Sequence, residues 1–268
     1  MNKQQLAARI WASAQKMRSS KIEAQQYKDY LLGFIFYKFL SSNEISAIKK
    51  LHKGDFTEDT LKILDESNKE LVEYLEDEIG YFIPYQHLYS TWLSMGSEFS
   101  VKNVTDALSS FSRHISPTHS HVFKDIFRAL EGGFTSFGET TGSMTKAISD
   151  LLSVIHDIPT DGQQSYDVLG FIYEYLISNF AATAGKKAGE YYTPHEVSVL
   201  MSEIVAEHLK DRDSITIYDP TSGSGSLLLT IGRAVGRHIK GKNCVDYYAQ
   251  ELVENTFNLT RIDRKSVV

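Results

Sequence analysis

Asp219-Pro220-Thr221-Ser222-Gly223-Ser224-Gly225-Ser226 stands between a short β-branched run, Ser214-Ile215-Thr216-Ile217-Tyr218, and an apolar, helix-forming stretch that begins at Ser226. A strand that turns through two closely spaced glycines into a helix is the opening unit of a parallel α/β sheet. The glycines let the backbone turn sharply and approach a ligand, while the free N–H groups of the following helix face any polar or anionic group placed there. The run is not a Walker loop, because no Gly-Lys-Ser/Thr follows, and Leu228 stands where a full G-x-G-x-x-G would place its third glycine. Taken alone it is compatible with an ordinary tight βα turn; Asp219 and Pro220 directly before it favour a cofactor loop.

Two further segments bear on the same chemistry. Residues 245–249 form a second expected strand, and Glu251 follows it in Tyr248-Ala249-Gln250-Glu251. An acidic residue at that place can accept hydrogen bonds from both hydroxyls of a ribose, or it can simply be a solvated carboxylate at a helix start. Upstream, Gly189-Glu190-Tyr191-Tyr192-Thr193-Pro194-His195 enters a helix expected over 194–209 after a Gly-Lys loop (181–189) that holds Lys186 and Lys187. The adjacent aromatics, the capping hydroxyl and a proline at the first helical position make a rigid start with ring surface to offer a ligand. A hydrophobic staple around a cap is the other reading of it.

Working outward, the chain ahead of residue 155 carries helical periodicity and almost no alternation. Helices are expected over 6–17, from Leu6, Ile10, Ala14 and Met17, and over 22–40, where the apolar stripe is wide enough for a deeply packed helix and Gly33 allows a close crossing. A third periodic segment, capped by Thr57, carries Leu61, Leu64, Leu71 and Leu75 through about residue 79. Short helices are expected over 88–93 and 101–111. A Gly/Ser/Thr-rich loop is expected over 131–143, a helix over 145–155, a junction within 157–164 and another helix over 165–179. After the glycine loop, residues 226–239 read as helical, and a last helix starts near 253.

Composition sets broad limits. Of 268 residues, 42% are hydrophobic and 23% charged, so a buried core is available and global disorder is excluded. The 28 Lys+Arg against 34 Asp+Glu give a net charge of −6, so nucleic acid cannot be held by bulk charge and needs a local patch or another subunit. One cysteine, Cys244, excludes an intrachain disulfide and fits a reducing cytosol. The start has no apolar signal core, and residues 30–40, the most apolar run, fall short of the roughly 20 residues that cross a bilayer. The expected setting is therefore cytoplasmic, with no membrane partner. His114, His119 and His121 cluster without cysteine or carboxylate at ligand spacing, and no metal is expected.

In combination and in this order, Gly-Glu-Tyr-Tyr-Thr-Pro, then Asp-Pro-Thr-Ser-Gly-Ser-Gly-Ser, then Ala-Gln-Glu resemble the N6-adenine DNA methyltransferases that form the M subunits of type I restriction-modification systems. Residues 166–176 are similar to the helix ahead of the aromatic segment. Tyr27-Lys28-Asp29-Tyr30-Leu31-Leu32-Gly33 and Tyr81-Phe82-Ile83-Pro84 are similar to parts of the family's helical front. The resemblance implies an α-helical N-terminal domain over 1–157, followed over 158–268 by the truncated start of an α/β, Rossmann-like, S-adenosylmethionine-dependent methyltransferase domain. It implies that Glu190, Tyr191, Tyr192, Thr193, Pro194 and His195 contact the cofactor together with Thr221, Ser222, Gly223, Ser224 and Gly225. Asp219 would lie beneath the methionine end and Glu251 would hold the ribose. The implied partners are DNA, the specificity (S) and restriction (R) subunits, and a second copy of the M subunit, to which an open sheet edge also points.

The family's chemistry needs an Asn-Pro-Pro-aromatic loop to receive the flipped adenine, and no Asn-Pro-Pro occurs in these residues. No catalytic residue is therefore assigned, and the chain is expected to be a front portion that is inactive alone. His195 stands where many relatives carry arginine. The alternative from another class is a non-catalytic helical assembly and DNA-contact module with an incomplete α/β stub. A methyltransferase acting on a different substrate class is disfavoured by the position of the aromatic-Thr-Pro segment.

Overall fold

A computed structural model describes residues 3–17, 24–52, 56–160, 168, 170–172, 174–176, 193–237, 245–253, 256–258 and 260–261, with the backbone alone for 13–17 and 24–27. It divides into two compact units, Met1–Val168 and Leu169–Val268. The first is helical among its described residues. Its α-helices are α1 (Lys3–Met17), α2 (Ala24–Leu51), α3 (Lys69–Glu78), α4 (Tyr89–Ser94), α5 (Val101–Arg113), the single turns α6 (Ser120–Phe123) and α7 (Arg128–Glu131), and α8 (Thr141–Ile155).

Helix α2 is the axis of this unit. Tyr30, Leu31, Leu32, Phe34, Ile35, Phe36 and Tyr37 are all buried, so this stretch of the helix is apolar around its whole circumference, as a core segment must be. Tyr37 stacks on Trp92 of α4 with ring centroids 4.7 Å apart, and Phe111 of α5 packs edge-on against both Phe123 and Phe127. A Cβ added at Gly33 would stand 3.4 Å from Leu130 of α7, the close crossing that this glycine was expected to permit. At the far side of the same helix, buried Lys38 turns its Nζ toward the end of α8. It donates to the carbonyls of Ile155 (3.0 Å) and His156 (2.6 Å), which the helix C-terminus leaves without intrahelical donors, and to that of Ile158 just beyond.

Three sequence expectations need correction here. Helix α2 does not stop at residue 40 but continues to Leu51, although Ser41, Ser42 and Asn43 favour turns. Tertiary partners outweigh propensity: the Tyr89 N–H donates to Ser41 Oγ at 3.0 Å, and the Ile83 N–H donates to both carboxyl oxygens of Glu44 at 3.0 and 3.1 Å. The segment after Thr57 is two elements, a 3₁₀ turn (Glu58–Ile63) and α3. Asn68 caps α3 by accepting the Leu71 N–H. Leu61, Leu64, Leu71 and Leu75 are nonetheless all buried. Within the Gly/Ser/Thr run, Phe134–Phe137 form a 3₁₀ turn and α8 begins at Thr141. The Ser143 N–H donates to Thr140 Oγ1 and the Thr140 N–H donates to Ser143 Oγ, a reciprocal cap that starts a helix in poor helix formers.

Glu44 is fully buried, and burial raises its pKa well above the ordinary carboxylate value, with the Ile83 N–H opposing this only in part. A raised folded-state pKa means that the stability supplied by the neutral acid is complete below the unfolded pKa, about 4.3. That contribution is lost as the pH climbs toward the folded value. Glu44→Gln should therefore gain stability relative to the parent as pH increases from 5 to 7, read as a widening difference in urea midpoints. A difference that stays constant with pH would contradict the assignment.

In the second unit the described part of residues 170–176 is helical, with Ile172 and Leu176 buried. It is followed by α9 (His195–Leu209), β1 (Ile215–Asp219), α10 (Ser226–Val235) and β2 (Val245–Ala249). The strands pair in parallel from Ile215↔Val245 to Asp219↔Ala249, so the chain must cross over between them, and α10 forms part of that connection. Ala206, Ile215, Ile231, Ala234 and Val235 make the core, joined by Val205, Leu209, Ile217, Leu227 and Val245. Ser198, Ser202 and Ala206, four apart on α9, are the buried positions that let the two helices approach closely. Gly232 on α10 faces the sheet instead and makes room for β2: a Cβ there would fall 1.7 Å from the Tyr247 hydroxyl. Helix α10 ends at Val235, before Gly236, rather than at residue 239. Residues 256–258 and 260–261 begin the expected last helix.

Candidate functional site

Where β1 ends, the Asp219 side chain folds back to accept the Thr221 N–H at 3.0 Å, which starts the turn. Gly223 (φ 57°) and Gly225 (φ 78°) adopt the left-handed region, a conformation that costs other L-residues strain, so both glycines are required by the turn itself. The Gly225 N–H closes it on the Ser222 carbonyl at 2.8 Å, and Gly225 then caps α10.

The loop is stitched to the end of β2. The Gln250 N–H donates to the Asp219 carbonyl at 2.9 Å, and the Ser222 N–H donates to the Gln250 carbonyl at 3.0 Å, which prolongs the parallel ladder past both strands. This rigid extension carries Glu251 under the glycines, where its Oε2 accepts the Gly223 N–H at 2.9 Å and its Oε1 accepts the Val253 N–H at 2.8 Å. Each carboxylate oxygen thus holds one backbone donor and retains a lone pair for a further one. Ser222 and Ser224 are buried beside them, and Ser222 Oγ has no hydrogen-bond partner among the described residues. A buried hydroxyl without a partner is costly unless something else supplies one.

The structure therefore joins Asp219, Thr221, Ser222, Gly223, Gly225 and Glu251 through hydrogen bonds, although they come from two loops, and buries Ser224 in the same turn. The aromatic segment is less fully described: Glu190, Tyr191 and Tyr192 lie outside the described residues. Thr193 is partly buried, whereas Pro194 and His195 are exposed. Pro194 is the N-cap of α9 rather than its first helical residue, and its carbonyl accepts the Val197 and Ser198 N–H groups. Ala206 and Leu209, near the end of α9, pack with Ile215 and Val245 at the strand starts. Sequence reading missed Thr260, whose Oγ1 donates to the Gly223 carbonyl at 3.0 Å. Nothing in its local sequence marks it. His114 instead lies between Glu66 and Glu76, 3.4 Å from each carboxylate. Among the described residues, no helix is long and apolar enough to cross a membrane.

Residues 164–264 match the N-6 DNA Methylase family, and residues 6–154, more than half of the chain, match the HsdM N-terminal domain. The chain belongs to the methylase-subunit family of type I restriction-modification systems. It is 28% identical over 273 residues to the type I restriction enzyme MpnII methylase subunit of Mycoplasma pneumoniae, covering 95% of this chain and 48% of that protein. The type I restriction enzyme HindI methylase subunit of Haemophilus influenzae is 34% identical over 97 residues, 36% of this chain and 21% of that protein. Among solved structures, the methyltransferase subunit of a type I restriction-modification system from Streptococcus thermophilus superposes with a TM-score of 0.78 at 29% identity, over 98% of this chain and 56% of that one. A further chain, from a study of type I complex assembly and conformational transition, shares the fold at 16% identity and a TM-score of 0.52. The chain thus spans about half the length of the relatives it matches. For this family, the helical front and the parallel α/β start are the expected architecture.

Proposed function

We propose that these residues carry much of the S-adenosylmethionine site of an M subunit that methylates adenine N6 in DNA. The observation that supports this reading most directly is the hydrogen bond from the Gly223 N–H to Glu251. It places a ligand-sized glycine loop and a pre-oriented carboxylate side by side. The residues present fit the cofactor: two left-handed glycines leave positions 223 and 225 without side chains, Ser222 offers a buried hydroxyl that lacks a partner among the described residues, and Glu251 has acceptor capacity to spare. Glu251 would hold the ribose hydroxyls, Ser222, Gly223 and Ser224 would line the loop contact, and Asp219 would lie beneath the methionine end. Thr221 and Gly225 would shape the turn, and Glu190, Tyr191, Tyr192, Thr193, Pro194 and His195 would close over the cofactor. When bound, S-adenosylmethionine supplies a methyl group on a positively charged sulfur.

DNA, the specificity subunit, the restriction subunit and a second M subunit are the partners this reading assigns to the whole protein. These 268 residues contain no Asn-Pro-Pro, so by themselves they are expected to bind cofactor without methylating DNA. Calorimetric titration with S-adenosylmethionine tests the proposal, with one site per chain as the expected result. No heat at high micromolar ligand would overturn it and leave the reading as a helical assembly module.

A further inference from the structure

Thr260 lies nine residues beyond Glu251, on the helical stretch after β2, and its side chain is buried against the glycine loop. Its single hydroxyl proton has two acceptors in reach, the Gly223 carbonyl at 3.0 Å and the Thr256 carbonyl at 3.3 Å. Bonding back to the carbonyl four residues earlier is the default for a helical threonine, yet here the loop carbonyl is the nearer. The methyl group of the same side chain abuts the second glycine, since a Cβ at Gly225 would stand 3.0 Å from Thr260 Cγ2.

Gly223 is consequently tied on both sides, its N–H to Glu251 and its carbonyl to Thr260. Glycine has the most backbone freedom to lose, so an untied Gly223 would leave the conformation that aims its amide at Glu251. We propose that Thr260 is a positioning residue of the cofactor loop, holding Gly223 and Gly225 in the shape that receives the cofactor without touching the cofactor itself. This rests on the reading of the loop as an S-adenosylmethionine site.

Two substitutions in the full chain separate the hydroxyl from the shape. Thr260→Val keeps the volume and removes the donor; Thr260→Ser keeps the donor and removes the methyl. Hydrogen exchange at the Gly223 amide reports loop order, and calorimetry at a temperature where every variant is folded reports S-adenosylmethionine affinity. Thr260→Val should accelerate the exchange and weaken affinity by about tenfold each, the effect of losing one loop hydrogen bond, while Thr260→Ser stays within about threefold. Valine binding like the parent while serine binds more weakly would show a packing role only and overturn the proposal. Unchanged exchange in Thr260→Val overturns the Thr260 assignment alone, whereas a parent chain that gives no heat with S-adenosylmethionine overturns the cofactor reading and this proposal with it.

Discussion

Glu251→Ala should weaken S-adenosylmethionine binding by about 100-fold, because hydrogen bonds to a charged group contribute roughly 1.5–3 kcal/mol and tenfold in affinity corresponds to about 1.4 kcal/mol. Two losses coincide in this variant. The acceptor assigned to the ribose hydroxyls disappears, and so does the anchor of the Gly223 and Val253 amides, which lets the loop reorganise. Glu251→Gln, which keeps one oxygen, should fall between the two. Calorimetry on all three proteins checks the series, with thermal melts to confirm that the second unit remains folded. An alanine variant that binds within about threefold of the parent, close to the scatter of a single neutral contact, would remove Glu251 from the site.

The largest effect on stability is expected at Lys38. Its Nζ donates to the carbonyls of Ile155, His156 and Ile158, and it is 7% exposed, so water cannot replace it. Lys38→Met preserves most of the side-chain volume and removes the shared donor at the negative end of the α8 dipole, so the Ile155 carbonyl keeps only the Ile158 N–H and those of His156 and Ile158 lose the ammonium. Unpaired buried acceptors cost about 1–3 kcal/mol each before relaxation, so a net destabilisation of about 3 kcal/mol is expected. In a unit of this size that lowers the melting temperature by roughly 10 °C. A shift under about 2 °C, well below 1 kcal/mol on the same scale, would mean that the end of α8 finds other donors.

Much of this was legible in the sequence because it depended on local patterns. The alternation at Ile215 and Ile217 and the Gly223/Gly225 pair specify a strand and a left-handed turn from neighbouring residues alone, and Glu251 followed from its place after the second strand. The misreadings share a different cause. Ser41 and Glu44 look like the end of a helix until the Tyr89 and Ile83 amides, 48 and 39 residues away, supply their partners. Thr141-Gly142-Ser143 looks like loop until Thr140 and Ser143 cap each other. Thr260 carries no sequence signal at all, since its role exists only once the helix after β2 is laid against Gly223. Tertiary contact decides such positions, and periodicity does not record it.

In the proposed site the glycine loop, the carboxylate after β2 and the start of α9 all meet one adenosyl ligand. Backbone amide NMR during titration with S-adenosylmethionine tests this most directly. Saturable shifts at Gly223, Gly225, Glu251 and Val253, accompanied by shifts at Tyr191, Tyr192 and Thr193 with the same midpoint, are the predicted result. Shifts confined to residues of the helical unit, or two groups that titrate with different midpoints, would contradict it.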